Sequence, residues 1–215
     1  MIAAVLAIAT AAHADDAEDE KVDNQEMVFK ESGEWLTFST KSEQRKGIGG
    51  IFDIKSYGAL TSGTPSVVVI RIQIVPEGSD TPVADLLLQR SALYDVWDDH
   101  YVIKLEQRGS QKQVIVKTPA ETLTRLTALQ DVPVARLDVL PYGKNFLLRM
   151  VVELNPRSKE ELAAMRRWLS QGTGGGIDRG GSLFGSFVSL FYNPKIAEAD
   201  RVLRIQSNPF FRPPP

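Results

Sequence analysis

Apolar and polar positions alternate with a period of two along most of the chain. In 67–75, Val68, Ile70, Ile72 and Ile74 share one side, and Arg71 and Gln73 lie on the other. In 146–154, Phe146, Leu148, Met150, Val152 and Leu154 form an apolar face opposed by Asn145, Arg149 and Glu153. Shorter runs of the same kind occupy 35–40, 84–92, 100–107, 112–117, 133–139 and 201–207. Successive side chains of a strand point to opposite faces, so each run predicts a half-buried strand with one wet face. About eight such strands, most joined as hairpins, predict a mainly β fold that is antiparallel and β-sandwich-like.

Two short helices are expected to interrupt the strands. Thr118-Pro119-Ala120-Glu121 has the spacing of a capping box with proline at the first helical position, and Leu123, Leu126 and Leu129 follow on one face. Ser158-Lys159-Glu160-Glu161 repeats the device, Leu162, Met165 and Leu169 supply the apolar stripe, and Gly172 is placed to end the helix. The strand–helix–strand order over 112–139 leaves room for a crossover. The ending Pro209-Phe210-Phe211-Arg212 and its three prolines cannot form a central strand, and are expected to lie along the surface.

Composition narrows the class. The 215 residues are 43% hydrophobic and 24% charged, which fits one globular domain and excludes collagen, coiled coil and wholesale disorder. With no cysteine, disulfides, thiolate metal sites and cysteine nucleophiles are excluded. The uncharged apolar run Met1–Ala14 ends in Ala12-His13-Ala14, the small-x-small pattern of signal peptidase cleavage, and is too short to span a bilayer. Residues 1–14 are therefore expected to be a signal peptide cut after Ala14, giving a periplasmic or secreted protein. Residues 15–34 carry nine Asp/Glu against Lys21 and Lys30, net −7, and residues 35–215 are net +5. So polar a leader is expected to be a disordered, solvated tether or to fold back on the basic body, ahead of a single β-rich domain over 35–212. Neither charge suggests nucleic acid, which asks for a concentrated basic face.

The sharpest cluster of chemical groups is Tyr94-Asp95-Val96-Trp97-Asp98-Asp99-His100-Tyr101, between two predicted strands. Asp95, Asp98 and Asp99 could be ligands of a hard cation, or one could pair with His100 for acid/base work. The spacing lacks the alternating oxygens and central glycine of a calcium loop, and short carboxylates beside a turn ordinarily bond to its backbone N–H groups. The turn reading prevails. Residues 172–182 hold six glycines, with Arg179 as the one cation among them and no P-loop or dinucleotide-binding register, and read as a connector. No G-x-S-x-G elbow presents a serine to His100. The aromatic stretch 183–192, with Phe184, Phe187 and Phe191, fits either helix or strand. It completes the core or docks on a partner or a membrane interface.

Five strings, Tyr94-Asp95-Val96-Trp97-Asp98, Val152-Glu153-Leu154-Asn155-Pro156, Arg166-Arg167-Trp168-Leu169, Phe184-Gly185-Ser186-Phe187-Val188 and Arg204-Ile205-Gln206-Ser207, occur in this order. In that order they resemble a bacterial family of exported proteins classed as a domain of unknown function, over roughly residues 60–212. The resemblance implies an envelope location and a β-rich single domain, and it carries over no catalytic residue. The expected function is a non-enzymatic binding or accessory module of the bacterial envelope, without a cofactor. Its expected partner is another envelope protein, with peripheral membrane contact the lesser option. The surfaces are Trp97, Asp98, Asp99, His100 and Tyr101 on the hairpin and Phe184, Phe187 and Phe191 on the aromatic stretch. The rival is a metal-dependent or hydrolytic enzyme using Asp95, Asp98, Asp99 and His100.

Overall fold

The computed structural model describes residues 22–40, 48–156 and 199–212. The strands are β1 (Val22–Gln25), β2 (Met27–Ser32), β3 (Trp35–Thr40), β4 (Ser66–Pro76), β5 (Ala84–Asp95), β6 (His100–Gln107), β7 (Ser110–Val116), β8 (Val132–Arg136), β9 (Lys144–Leu154), β10 (Arg201–Ser207) and β11 (Phe210–Arg212). The helices are α1 (Ile54–Ala59) and α2 (Pro119–Thr127), with short 3-10 turns at 48–51 and 137–139. The larger sheet runs β1-β10-β9-β4-β5-β6-β7, and β11 pairs with the start of β9. The smaller runs β2-β3-β8. Every pairing is antiparallel except β1 with β10. The fold is mainly β and β-sandwich-like, as the alternation predicts.

The core lies between the two sheets. Ile70, Ile72 and Ile74 of β4 and Phe146, Leu148 and Met150 of β9 are wholly buried there, opposite Leu36 and Phe38 of β3 and Val132 and Val134 of β8. The strand–helix–strand segment does cross over, but from one sheet to the other: β7 ends the large sheet, α2 packs on β5 and β6, and β8 joins the small sheet. α2 begins where expected, since the Thr118 side chain accepts the Glu121 N–H at 3.2 Å. It buries Thr122 and Leu126 completely. At its other end Nη1 of Arg90, from β5, donates to the carbonyls of Arg125, Leu126 and Ala128 at 3.2, 3.1 and 2.8 Å. These are carbonyls a helix leaves without partners of its own.

Three expectations need correction. Part of the acidic leader is folded: residues 22–32 form β1 and β2, and Met27 and Phe29 turn inward at period two while Val28 and Lys30 face out. Net charge hid an alternation that two apolar side chains sufficed to anchor. The chain end is also more than surface wrapping. β11 pairs with β9, and buried Arg212 donates to the carbonyls of Leu137 and Leu140. The central strands have only a partly wet outer face: Val69, Gln73, Val75, Val151 and Glu153 are buried on the side away from the core, whereas Arg71 and Arg149 are half-buried and Asn145 is exposed. Of the two helices, α2 stands, whereas 158–172 lies outside the described residues. The other helix seen is α1, capped by Asp53 and Ser56 and lacking any buried residue, so no apolar stripe marked it.

Candidate functional hairpin

β5 and β6 run antiparallel to their common end, where Tyr94 faces Tyr101 and Asp95 faces His100. The rings of Tyr94 and Tyr101 lie 4.8 Å apart at a 43° tilt. Four residues, Val96 to Asp99, close the hairpin. The Asp95 carboxylate accepts the N–H of Trp97 at 2.9 Å and of Asp98 at 3.2 Å. Asp99 stands at φ +49°, the left-handed conformation that Asp and Asn tolerate best among residues other than glycine. Its carboxylate takes a 2.5 Å hydrogen bond from the Tyr94 hydroxyl. Both ends of the turn are thus tied by short carboxylates, as the turn reading requires.

These bonds set the electrostatics. The two backbone N–H groups hold the Asp95 carboxyl below the usual carboxylate range. The bond to Asp99 pushes the Tyr94 hydroxyl up, because losing its proton would set two negative charges side by side. A carboxyl whose pKa is lowered by folding stabilises above its unfolded value and loses that contribution as pH falls through the lowered one. An NMR titration should therefore find the Asp95 midpoint below 3.8. Asp95→Ala should accelerate hydrogen exchange at the Trp97 and Asp98 amides while leaving mid-strand β5 unchanged. Equal exchange in both proteins would remove Asp95 as the turn's anchor.

The expected site residues separate into two groups. Trp97 is 92% exposed and its neighbour Val96 58%, and Asp98 and Asp99 are exposed beside them. Tyr101, expected among the binding residues, is 2% exposed. It falls on the inward parity of β6, against Tyr94 and the core, so it supports the hairpin from below. Phe184, Phe187 and Phe191, with the whole of 183–192, lie outside the described residues.

Asp95, Asp98 and His100 bring one ligand atom each within 4.8 Å of one another. A mixed carboxylate–imidazole set of this size can hold a divalent cation. Asp99 is not part of it, being turned toward Tyr94. Among the described residues the His100 ring hydrogen-bonds the Asp98 carbonyl at 3.3 Å, so no nucleophile is linked to it.

Two surface features escaped the sequence reading. On the outer face Leu93 lies across from Val102 and Val102 across from Ile115, with Leu93 42% and Ile115 59% exposed. The three sit at matching parity in adjacent predicted strands, a signal that only the register reveals. The second is a groove of about 450 Å³ at the opposite end of β6 and β7, lined in part by Arg90, Arg108 and Lys112. The chain matches no protein-family profile, no curated protein and no solved structure.

Proposed function

We propose that the chain is a non-enzymatic binding or accessory module of the bacterial envelope, and that it engages another envelope protein through the tip of the β5–β6 hairpin. The observation that carries this reading is Trp97. An indole 92% exposed, beside a half-exposed valine, sits on a turn whose backbone is held by Asp95 and Asp99. Holding the tip in one conformation lowers the ordering cost of association, and exposed tryptophans are frequent centres of binding energy. The envelope location is supported by the small-x-small ending of the apolar run at Ala14 and by the family resemblance.

The test is in-cell photo-crosslinking with a probe at Trp97 and a control probe at Gln89, which is exposed on mid-strand β5. A discrete protein adduct at Trp97 and none at Gln89 is expected. With the captured partner purified, Trp97→Ala should weaken binding by about 2 kcal/mol, roughly thirtyfold in Kd. The melting temperature should stay put, since the side chain packs against little. Adducts at both positions alike, or unchanged affinity in Trp97→Ala, would refute the assignment.

A further inference from the structure

We propose that the free edge of β7 and the groove beside it bind an extended acidic segment of a partner protein by strand addition. β7 ends the larger sheet, and among the described residues no strand pairs with its outer edge. The Arg108-Gly109 turn joins it to β6, with both residues at positive φ (+49° and +75°) as a two-residue hairpin loop demands. In such a hairpin the pair flanking the turn, Gln107 and Ser110, exchanges both backbone bonds, and every second pair repeats this. Hence the N–H groups of Ser110, Lys112, Val114 and Val116 aim at β6, while those of Gln111, Gln113 and Ile115 aim outward. Three residues in a row of alternate positions offer a ladder to an incoming strand.

The groove decides what that strand should carry. Its apolar floor is Leu88 and Leu105 with Pro133 at the far wall, and its cations are Arg90, Arg108 and Lys112. Glu106 is the one carboxylate in the lining, and it accepts a hydrogen bond from Gln111 on the outer side of the hairpin. Arg90 and Arg108 are both held by carbonyl groups, Arg108 by those of Pro133 and Val134 at 3.2 and 3.3 Å. Arg108 also stacks on Trp35, 4.0 Å from the ring centroid. Carbonyls satisfy hydrogen bonds but do not neutralise charge. Burial pushes the Arg90 guanidinium down to about 10, which leaves it charged at neutral pH. Ser110 and Lys112 lie on the parity of β7 that faces this groove, so a strand added to β7 would direct alternate side chains into it. Acidic side chains there meet three cations, and short apolar ones meet Leu88 and Leu105.

The surface is separate from the Trp97 tip, and the experiment keeps the two apart. The probe is a fluorescein-labelled decapeptide alternating glutamate and valine, with an alternating lysine–valine peptide as control, read by anisotropy and by hydrogen exchange. Binding of the acidic peptide alone is expected, weakened by salt, with new protection at the Gln111, Gln113 and Ile115 amides. Gln113→Pro removes one outward N–H without touching the β6 ladder, and should weaken binding at least tenfold. Proline is tolerated at such edge positions. Lys112→Glu, on an exposed side chain, should weaken binding about as much, and it tests the charge even if the proline variant folds poorly. Trp97→Ala should bind the peptide as wild type does. No binding, equal binding of the lysine peptide, or wild-type affinity in Lys112→Glu would overturn the proposal.

Discussion

Phe146→Ala is expected to lower the unfolding free energy by about 3–5 kcal/mol. The ring is 0% exposed, on a central strand paired on both sides, with Pro76 of β4 across one ladder and Phe210 of β11 across the other. It also begins a row of rings through the core. Phe210 lies 5.8 Å away by ring centroid, Phe29 of β2 stacks on Phe210 at 4.0 Å, and Phe38 of β3 follows at 6.5 Å. Truncation opens a cavity that backbone paired on both flanks cannot close, so the cost combines lost transfer energy with the void. It also removes the support on which the aromatic contact between the two sheets rests. Urea denaturation should show a lower midpoint with an unchanged slope. A loss below 1 kcal/mol would mean that this end of the sandwich is loosely packed.

A comparable effect, of different origin, is expected on the other face of the same strands. Nε of Arg71 on β4 lies 3.1 Å from a Glu153 carboxylate oxygen on β9, and the Glu153 side chain is only 3% exposed. The pair is diagonal, two residues off register, with Val69 directly opposite Glu153 and Val151 opposite Arg71. Arg71→Met leaves that carboxylate buried without the guanidinium, and breaking a buried pair this way typically costs roughly 3–5 kcal/mol. The double variant Arg71→Met, Glu153→Leu should recover most of the loss, because an apolar pair of similar volume needs no compensating charge. Should the double variant be as unstable as the single, the pair's role is steric and the electrostatic account fails.

Eight strands were legible because each carries its own alternation, and alternation follows directly from strand geometry. β1, β2 and β11 were not. In β2 the signal rests on Met27 and Phe29 amid four acidic residues between 23 and 34, and net charge outweighed it. In β11 three residues are too few for a period, and the prolines beyond argued only against a central strand. Burial of Gln73 and Glu153 was equally hidden, since a polar residue opposite an apolar face reads as solvent-facing unless the second face is known to be covered. At the hairpin, the turn chemistry of Asp95 could be read from spacing. The opposite fates of Trp97 and Tyr101 depend on where β6 begins, which the sequence leaves uncertain by a residue or two, and one residue inverts the face. The cationic groove could not be foreseen at all, because Arg90, Arg108 and Lys112 meet only through pairing.

β1 lies parallel beside β10, so the first described strand is held by nearly the last. A ribosome, and any export pore after it, delivers these partners in sequence. Val22 emerges some 180 residues before Arg204, the residue across from it. During that interval β2, β3 and β8 can assemble, and so can the β4-to-β7 meander, each from neighbours already made. The β1 edge must wait until β10 has been made. A chain cut short before β10 would therefore leave β9 bare along the side that β10 covers and β1 without a seat, an exposed edge of the kind that invites aggregation.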